Sequence, residues 1–310
     1  MSFSAVIFAG QGAQFVGMGR DLAEAIPECR SLFDEADDVL GYRLSSLCFE
    51  GPIEELTKSN HCQPAIFVTS MACFRALVLK GGDHVAMLRG TAGLSLGEWT
   101  SLHMAGALTF SDALRVLEAR GRFMQQACEE REGGMVSVIG LGLDKLQAIC
   151  AASGCEIANL NSPEQTVLSG ERKRIEEAER LAKEAGAKRT IVLKVAGAFH
   201  SSLMKSAADR LQAFLAGVAF HPSRMPVVAN VTGLPHGTAE EIRQTMVRQV
   251  TSPVRWVSCI EWFRQNGVQD YAECGPGNVL AGLIKRVDKE ARVSSIQDTL
   301  TLQKALGAQQ

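Results

Sequence analysis

The chain contains no Cys-x-x-Cys pair and no recurring Cys/His spacing, although nine cysteines are scattered along it. Zinc-ribbon and thioredoxin-type chemistry therefore have no carrier here. The odd count reads as reduced thiols in a cytoplasmic protein rather than a disulfide framework. Net charge is also scarce: −2 over 310 residues gives no reason to expect nucleic acid or an anionic membrane as partner. No basic stretch opens the sequence. The first positive charge is Arg20, and the apolar run Ser4 to Ala9 is too short for a secretory signal. No uninterrupted apolar run approaches the roughly 18 residues of a membrane span. Internal repeats and low-complexity stretches are missing as well.

What is present is the composition of an ordinary globular protein, with 46% hydrophobic and 21% charged residues. At roughly 150 residues per domain, the length suggests two domains or one large domain with an insert. A chain of this size buries roughly 75% of the surface its unfolded form exposes, so folding needs neither disulfide nor metal. Monomer is the default expectation.

Hydrophobic periodicity divides the chain. Ala5 to Ala9 reads as a buried strand, broken by Gly10-Gln11-Gly12. Leu22 to Leu40 is helical, Ile66 to Leu79 is an apolar helix started by Pro64, and Ser111 caps a helix with the stripe Leu114, Leu117, Gly121, Met124, Cys128. Between about 134 and 195 the order becomes strand, helix, strand, strand, helix, strand, the ferredoxin-like βαββαβ pattern. Afterwards Ser202 to Leu215 and Thr238 to Val250 read as helices. Pro226 to Val231 and Val268 to Glu273 read as strands, and Val279 to Val287 is a further helix. Such alternation implies an α/β fold with a mainly parallel sheet. The expected layout is a catalytic α/β core of residues 1–132 and 197–310, with a ferredoxin-like subdomain inserted at 133–196.

Gly93-Leu94-Ser95-Leu96-Gly97 matches the strand-turn-helix signature of a serine nucleophile. The turn is sharp, so side chains two residues either side would clash. It exposes the hydroxyl and aims the Leu96 N–H and a helix N-terminus at a developing oxyanion. A helix follows from Gly97 to Ala105. The strand before it, Met87 to Ala92 with Asp83 to Ala86 as an extension, is less regular. Five residues alone are equally a Gly/Ser-rich turn that caps a helix.

Several further segments share one pattern. They are Phe8-Ala9-Gly10-Gln11-Gly12-Ala13-Gln14, the Ser95 turn through Glu98, Arg120-Gly121-Arg122-Phe123-Met124-Gln125, Ala158 to Pro163 with Val167 to Gly170, Gly197-Ala198-Phe199-His200-Ser201, Arg248-Gln249 with Pro253-Val254, and Glu273 to Gly277. In this order and spacing the chain resembles the malonyl-CoA:acyl-carrier-protein transacylases over nearly its whole length. The resemblance implies a hydrolase-like core carrying a ferredoxin-like insert. It also implies transfer of a malonyl group from malonyl-CoA to the phosphopantetheine thiol of an acyl carrier protein, for fatty-acid or polyketide synthesis. The chain departs from the family where Leu94 stands in place of the usual His and Ala9 in place of a frequent Pro.

Roles follow residue by residue. A serine hydroxyl needs a base within hydrogen-bond reach. Of the six histidines, only His200 follows a strand end beside flexible Gly197-Ala198; by position alone it is as readily a surface or capping residue. The resemblance makes it the base, oriented by a backbone carbonyl at the Gln249 position rather than by an acid. It also makes the Gln11 N–H the second oxyanion donor beside that of Leu96. A dinucleotide loop at Gly10-x-Gly12 fails, because Phe15 occupies the third glycine's place. Arg120 lies at the edge of its helix's apolar stripe. It is either a snorkelling side chain or, as the resemblance implies, a clamp on the malonyl carboxylate. Phe199 resembles the malonyl-selective form. Met124 and Trp99 line a pocket or pack the core. Lys188 and Arg189, like Lys285 and Arg286, either meet an acidic carrier protein or are merely solvated. No metal or redox cofactor is implied. A thioester hydrolase on the same fold is expected to lack the Arg clamp. A generic esterase needs an acid that the sequence does not place, and a non-catalytic docking subunit would not need Ser95 and His200.

Overall fold

The computed structural model describes residues 2–307, so the expected outer limits of the core, 1 and 310, lie outside the described residues. Its strands are β1 (Ala5–Phe8), β2 (Gly90–Gly93), β3 (Gly133–Ile139), β4 (Glu156–Ser162), β5 (Gln165–Glu171), β6 (Arg189–Val192), β7 (Asp270–Cys274) and β8 (Arg292–Ile296). They form two sheets. The first has the order β2-β1-β7-β8, with every pair parallel. The second has the order β4-β5-β3-β6, with every pair antiparallel. The mainly parallel core and the βαββαβ sheet are the α/β layout expected from periodicity.

The parallel sheet is short and covered on both faces. In β1, Val6 and Phe8 pack into one apolar cluster while Ala5 and Ile7 pack into another, and all four are fully buried. A strand hidden on both sides reads as an unbroken apolar run, which is why it was legible. In the second sheet Val136, Val138 and Leu168 face Leu146, Ile149, Ile175 and Ala178 of helices Leu143–Ser153 and Arg172–Glu184. Met135 and Val167 point the other way, into the main core.

Several boundaries differ from expectation, each for a local reason. The apolar helix runs Ser59–Gly81, with Pro64 inside it rather than at its start. Proline is favoured at a first helical position, but here the chain is already helical five residues earlier. By composition this helix is long enough to cross a membrane, yet 78% of its most apolar window is buried inside the fold. The helix expected to be capped by Ser111 is Phe110–Glu130, and its cap is Thr109, whose Oγ1 accepts the Asp112 N–H. Leu22 to Leu40 is two helices, Arg20–Ala25 and Pro27–Leu40, parted where Pro27 starts the second. Asp83 to Ala86 does not extend β2; a 3-10 turn occupies Gly82–Val85. Pro226 to Val231 is not a strand. Val227 makes one parallel bridge to Thr91, and the chain then doubles back with Val228 opposite Pro235. Helix Trp256–Gln265 and strand β8 were not expected.

Candidate active site

β2 runs into helix Leu96–Met104, and Ser95 is the hinge between them, with φ 55° and ψ −102°. Among the described residues the only non-glycine positive φ values belong to Ser95 and His200 (57°). Such conformations cost about 1–3 kcal/mol each and persist only where surrounding structure enforces them. The enforcement is visible. A Cβ on Gly93 would lie 2.1 Å from the Gly97 carbonyl carbon, and a Cβ on Gly97 would lie 2.3 Å from the Phe8 carbonyl oxygen. The glycines let the strand, turn and helix close on one another.

His200 lies 105 residues from Ser95 in sequence, yet its Nε2 is 2.9 Å from the Ser95 Oγ. Its Nδ1 faces two backbone carbonyls, Gln249 at 2.9 Å and Ser252 at 3.2 Å. A carbonyl only accepts, so the neutral ring carries its proton on Nδ1 and leaves Nε2 free to take one. Burial, helped by the nearby Arg120 charge and opposed by the two carbonyls, pushes the imidazole pKa down to about 4. No carboxylate among the described residues contacts the ring.

Arg120 lies on the buried face of helix Phe110–Glu130 and is 1% exposed. Its head is therefore not at the surface, where a snorkelling side chain would put it. Nη2 donates to Ser95 Oγ at 3.0 Å and to Gln249 Oε1 at 3.1 Å, and Nη1 donates to Gln63 Oε1 at 2.7 Å. Nε has no protein partner. Burial lowers the pKa to about 10, with Glu98 opposing, so the group remains charged at neutral pH. Gly121 makes this approach feasible: a Cβ there would sit 2.2 Å from the Ser59 carbonyl oxygen. The helix carrying Gln63 thus lies directly against the helix carrying Arg120.

The Ser95 N–H is taken by Asn230 Oδ1 at 2.7 Å, so it is not an oxyanion donor. Among the described residues, neither the Leu96 nor the Gln11 N–H has a protein acceptor. The Gln11 side chain is held by Ser59 Oγ at 3.2 Å and Gln63 Nε2 at 3.3 Å. Ser95 and His200 open onto a cavity of about 290 Å³ whose walls include Gln11, Leu94, Met124 and Phe199 from the core. Met135, Asn159, Val167, Leu193 and Lys194 line the other side, from the antiparallel sheet and the chain leaving it. Arg120 sits behind Ser95 and is not part of that wall.

Not every sequence candidate converges here. Trp99 is fully buried and packs on Phe220, away from the cavity. Lys188 and Arg189 lie at the far end of β6, where Lys188 faces Glu164 at 3.5 Å. At ~3.3 Å per extended residue they stand about 16–20 Å along the chain from Lys194, the cation that does line the cavity. Arg286 donates to Gln165 Oε1 at 3.0 Å. Sequence reasoning missed Gln63, Asn230 and Lys194. None of the three carried a signal: Gln63 follows Ser59-Asn60-His61 in the polar first turns of its helix, and Asn230 and Lys194 lie in no motif.

The strained serine, its histidine without an acid and the parallel sheet beneath them define a serine acyltransferase-type site. The chain belongs to the acyl transferase domain family, whose model matches residues 5–304. It is 40% identical over 311 residues to the malonyl CoA-acyl carrier protein transacylase of Bacillus subtilis, covering 99% of this chain and 97% of that protein. The Escherichia coli K12 protein of the same name is also 40% identical, over 310 residues and 99% of each chain. Among solved structures, a malonyl-transacylase in complex with a type II PKS acyl-carrier protein superposes with a TM-score of 0.94 at 41% identity, covering 99% of this chain and 100% of that one. The acyl-carrier-protein S-malonyltransferase of Bartonella henselae gives a TM-score of 0.94 at 38% identity, covering 99% of each chain.

Proposed function

We propose that this chain is an acyl-carrier-protein S-malonyltransferase. It moves the malonyl group of malonyl-CoA to the phosphopantetheine thiol of an acyl carrier protein through a malonyl-serine ester, and so supplies fatty-acid or polyketide synthesis. The observation that carries this reading is the double contact at Ser95 Oγ, to a neutral acid-free histidine on one side and to a buried guanidinium on the other. The first activates a nucleophile. The second places a cation within reach of an acyl group that ends in a carboxylate.

In the first half-reaction His200 Nε2 takes the Ser95 proton as Oγ attacks the thioester carbonyl. The oxyanion is held by the N–H groups of Gln11 and Leu96. The C–S bond breaks, and CoA leaves as a thiol with the proton from His200. In the second half-reaction the carrier's thiol gives its proton to His200 and attacks the ester, and Ser95 recovers the proton. Arg120, held by Gln63 and Gln249, clamps the malonate carboxylate throughout, while Phe199 and Met124 bound the acyl site. The chemistry needs no metal or redox cofactor. Lys194 at the cavity, and Lys188 and Arg189 further along the same segment, are the cations assigned to an acidic carrier. The protein acts as a cytoplasmic monomer, and its nine free thiols suit that compartment.

Intact mass after incubation with malonyl-CoA tests the mechanism. One malonyl adduct should form on the wild type and none on Ser95→Ala. An adduct that survives the substitution sinks the proposal.

A further inference from the structure

Beneath the nucleophile lies a buried polar cluster to which the mechanism assigns no role. Glu98, three residues after Ser95 on the same helix, is fully buried. Its carboxylate meets three partners. Oε2 accepts Gln249 Nε2 at 2.6 Å and the Asn230 N–H at 3.1 Å, while Oε1 lies 2.7 Å from His236 Nε2. A fully buried carboxylate normally appears only where paired and hydrogen-bonded, and this one is.

We propose that Glu98 is a positioning residue for malonyl transfer, whose carboxylate sets which way round the Gln249 amide sits and so keeps an acceptor facing Arg120. The inference rests on the reading of Arg120 as the carboxylate clamp. The two ends of a glutamine amide are nearly identical in shape and differ only in hydrogen-bond sense. At Gln249, Nε2 faces two acceptors, Glu98 Oε2 and the Ser95 carbonyl at 3.0 Å, while Oε1 faces Arg120 Nη2 at 3.1 Å. Rotating the amide by half a turn would set oxygen against both acceptors and an NH2 group against the guanidinium. Oε2 already serves as acceptor to the Asn230 N–H, so the oxygen of a flipped amide would face an acceptor there as well as at the Ser95 carbonyl. Glu98 also anchors the Asn230 backbone, and the Asn230 side chain braces the elbow by accepting the Ser95 N–H and donating to the Gly93 carbonyl at 2.9 Å.

Glu98→Gln cannot serve as the test, because the Asn230 N–H would keep its amide oxygen where Oε2 stands. Glu98→Met removes the acceptor while keeping the side-chain length; the flipped Gln249 amide is then no longer excluded on that side and pushes the guanidinium off its aim. The expected result is that kcat/KM for malonyl-CoA and its preference over acetyl-CoA both fall about tenfold or more. Reaction of Ser95 with a small neutral sulfonyl fluoride, which needs only serine and histidine, should stay within about threefold of wild type. Glu98→Asp, still acceptor-only, should recover most of the malonyl preference. Parallel loss of both reactivities overturns the proposal, because it would mark a collapsed elbow; so does an unchanged malonyl preference. Arg120→Ala assayed alongside separates the two readings. If it leaves the preference intact, the clamp itself fails; if it abolishes the preference while Glu98→Met does not, only the positioning role fails. A neutron structure of the wild type needs no substitution. It should place both Nε2 deuterons of Gln249 toward Glu98 and Ser95, and deuterons toward Arg120 would overturn the assignment.

Discussion

Ser95 Oγ donates to one neighbour and accepts from another, and these two bonds set separate observables. Its acceptor is His200, whose pKa burial brings down to about 4. Neutral imidazole is the form that accepts a proton, and it is the form present at every pH above that value. The acid limb of kcat/KM for malonyl-CoA should therefore lie near pH 4, with the rate at pH 5.5 within about twofold of that at pH 7. A midpoint near the ordinary histidine value, 6.5, would show that the ring is more solvated than its position implies. The donor is Arg120. Arg120→Ala removes a charge-assisted contact and should lower malonyl transfer by roughly 10²-fold, as scored by competition between malonyl-CoA and acetyl-CoA. An unchanged preference would take the clamp out of the mechanism. Leu94, beside the serine, lines the cavity and packs with the apolar cluster under the sheet, so the position usually held by His is here part of an apolar wall.

At the level of the element, glycine spacing does more than permit tight turns. Gly97 and Gly121 are both helical, and both mark places where a helix touches another backbone. Gly97→Ala would press its methyl group on the Phe8 and Ala9 carbonyls of the β1 end, 2.3 and 2.8 Å away, and backbone atoms cannot rotate aside. It should destabilise the protein by roughly 1–3 kcal/mol in urea denaturation and slow serine acylation as the elbow shifts. A substitution that is neutral in both assays would show slack at this joint. Gly121→Ala presses on Ser59 and Asn60 and should separate Gln63 from Arg120, raising KM for malonyl-CoA more than it lowers reaction with a neutral serine reagent. The Gly93-x-Ser95-x-Gly97 spacing was legible because steric demand is local. The Pro64 position misled because a helix start is decided by what packs against the first turn, here Gly121.

Over the whole molecule, buried ionisable groups tie stability to pH and shield the thiols. His200 binds its proton more weakly folded than unfolded, so between about pH 6.5 and 4 the unfolded chain holds more protons and stability falls as pH falls. A shift from 6.5 to about 4 corresponds to about 3 kcal/mol. His200→Gln should flatten urea-derived stability across that window by a comparable amount, and an unaltered slope would assign the acid sensitivity elsewhere. Eight of the nine cysteines are buried, and Cys150 is the partly exposed one. Burial raises the pKa of Cys29, Cys128 and Cys150 to about 11. Native alkylation at pH 8 should therefore be slow, with Cys150 reacting first and all nine labelled after denaturation, as read by intact mass. Rapid native labelling of several thiols would contradict the packed core.

The sequence by itself determined the period of each buried element, the glycines of the serine turn and the βαββαβ order, because steric demand and one-sided burial act between residues close in the chain. The family's ordered motifs added His200, Arg120 and Gln249. Only the tertiary structure decided which atoms meet. Gln249 lies 154 residues from Ser95, and Asn230 lies 132 from Glu98. Nothing in the local sequence marks Asn230, and the motif that marks Gln249 does not say which atoms its amide meets, since a buried amide is defined by the partners the fold brings to it. The same holds for the cations. Lys188, Arg189 and Lys194 look alike as charges in a sequence, and the direction of β6 alone separates the one at the cavity from the two at the far end.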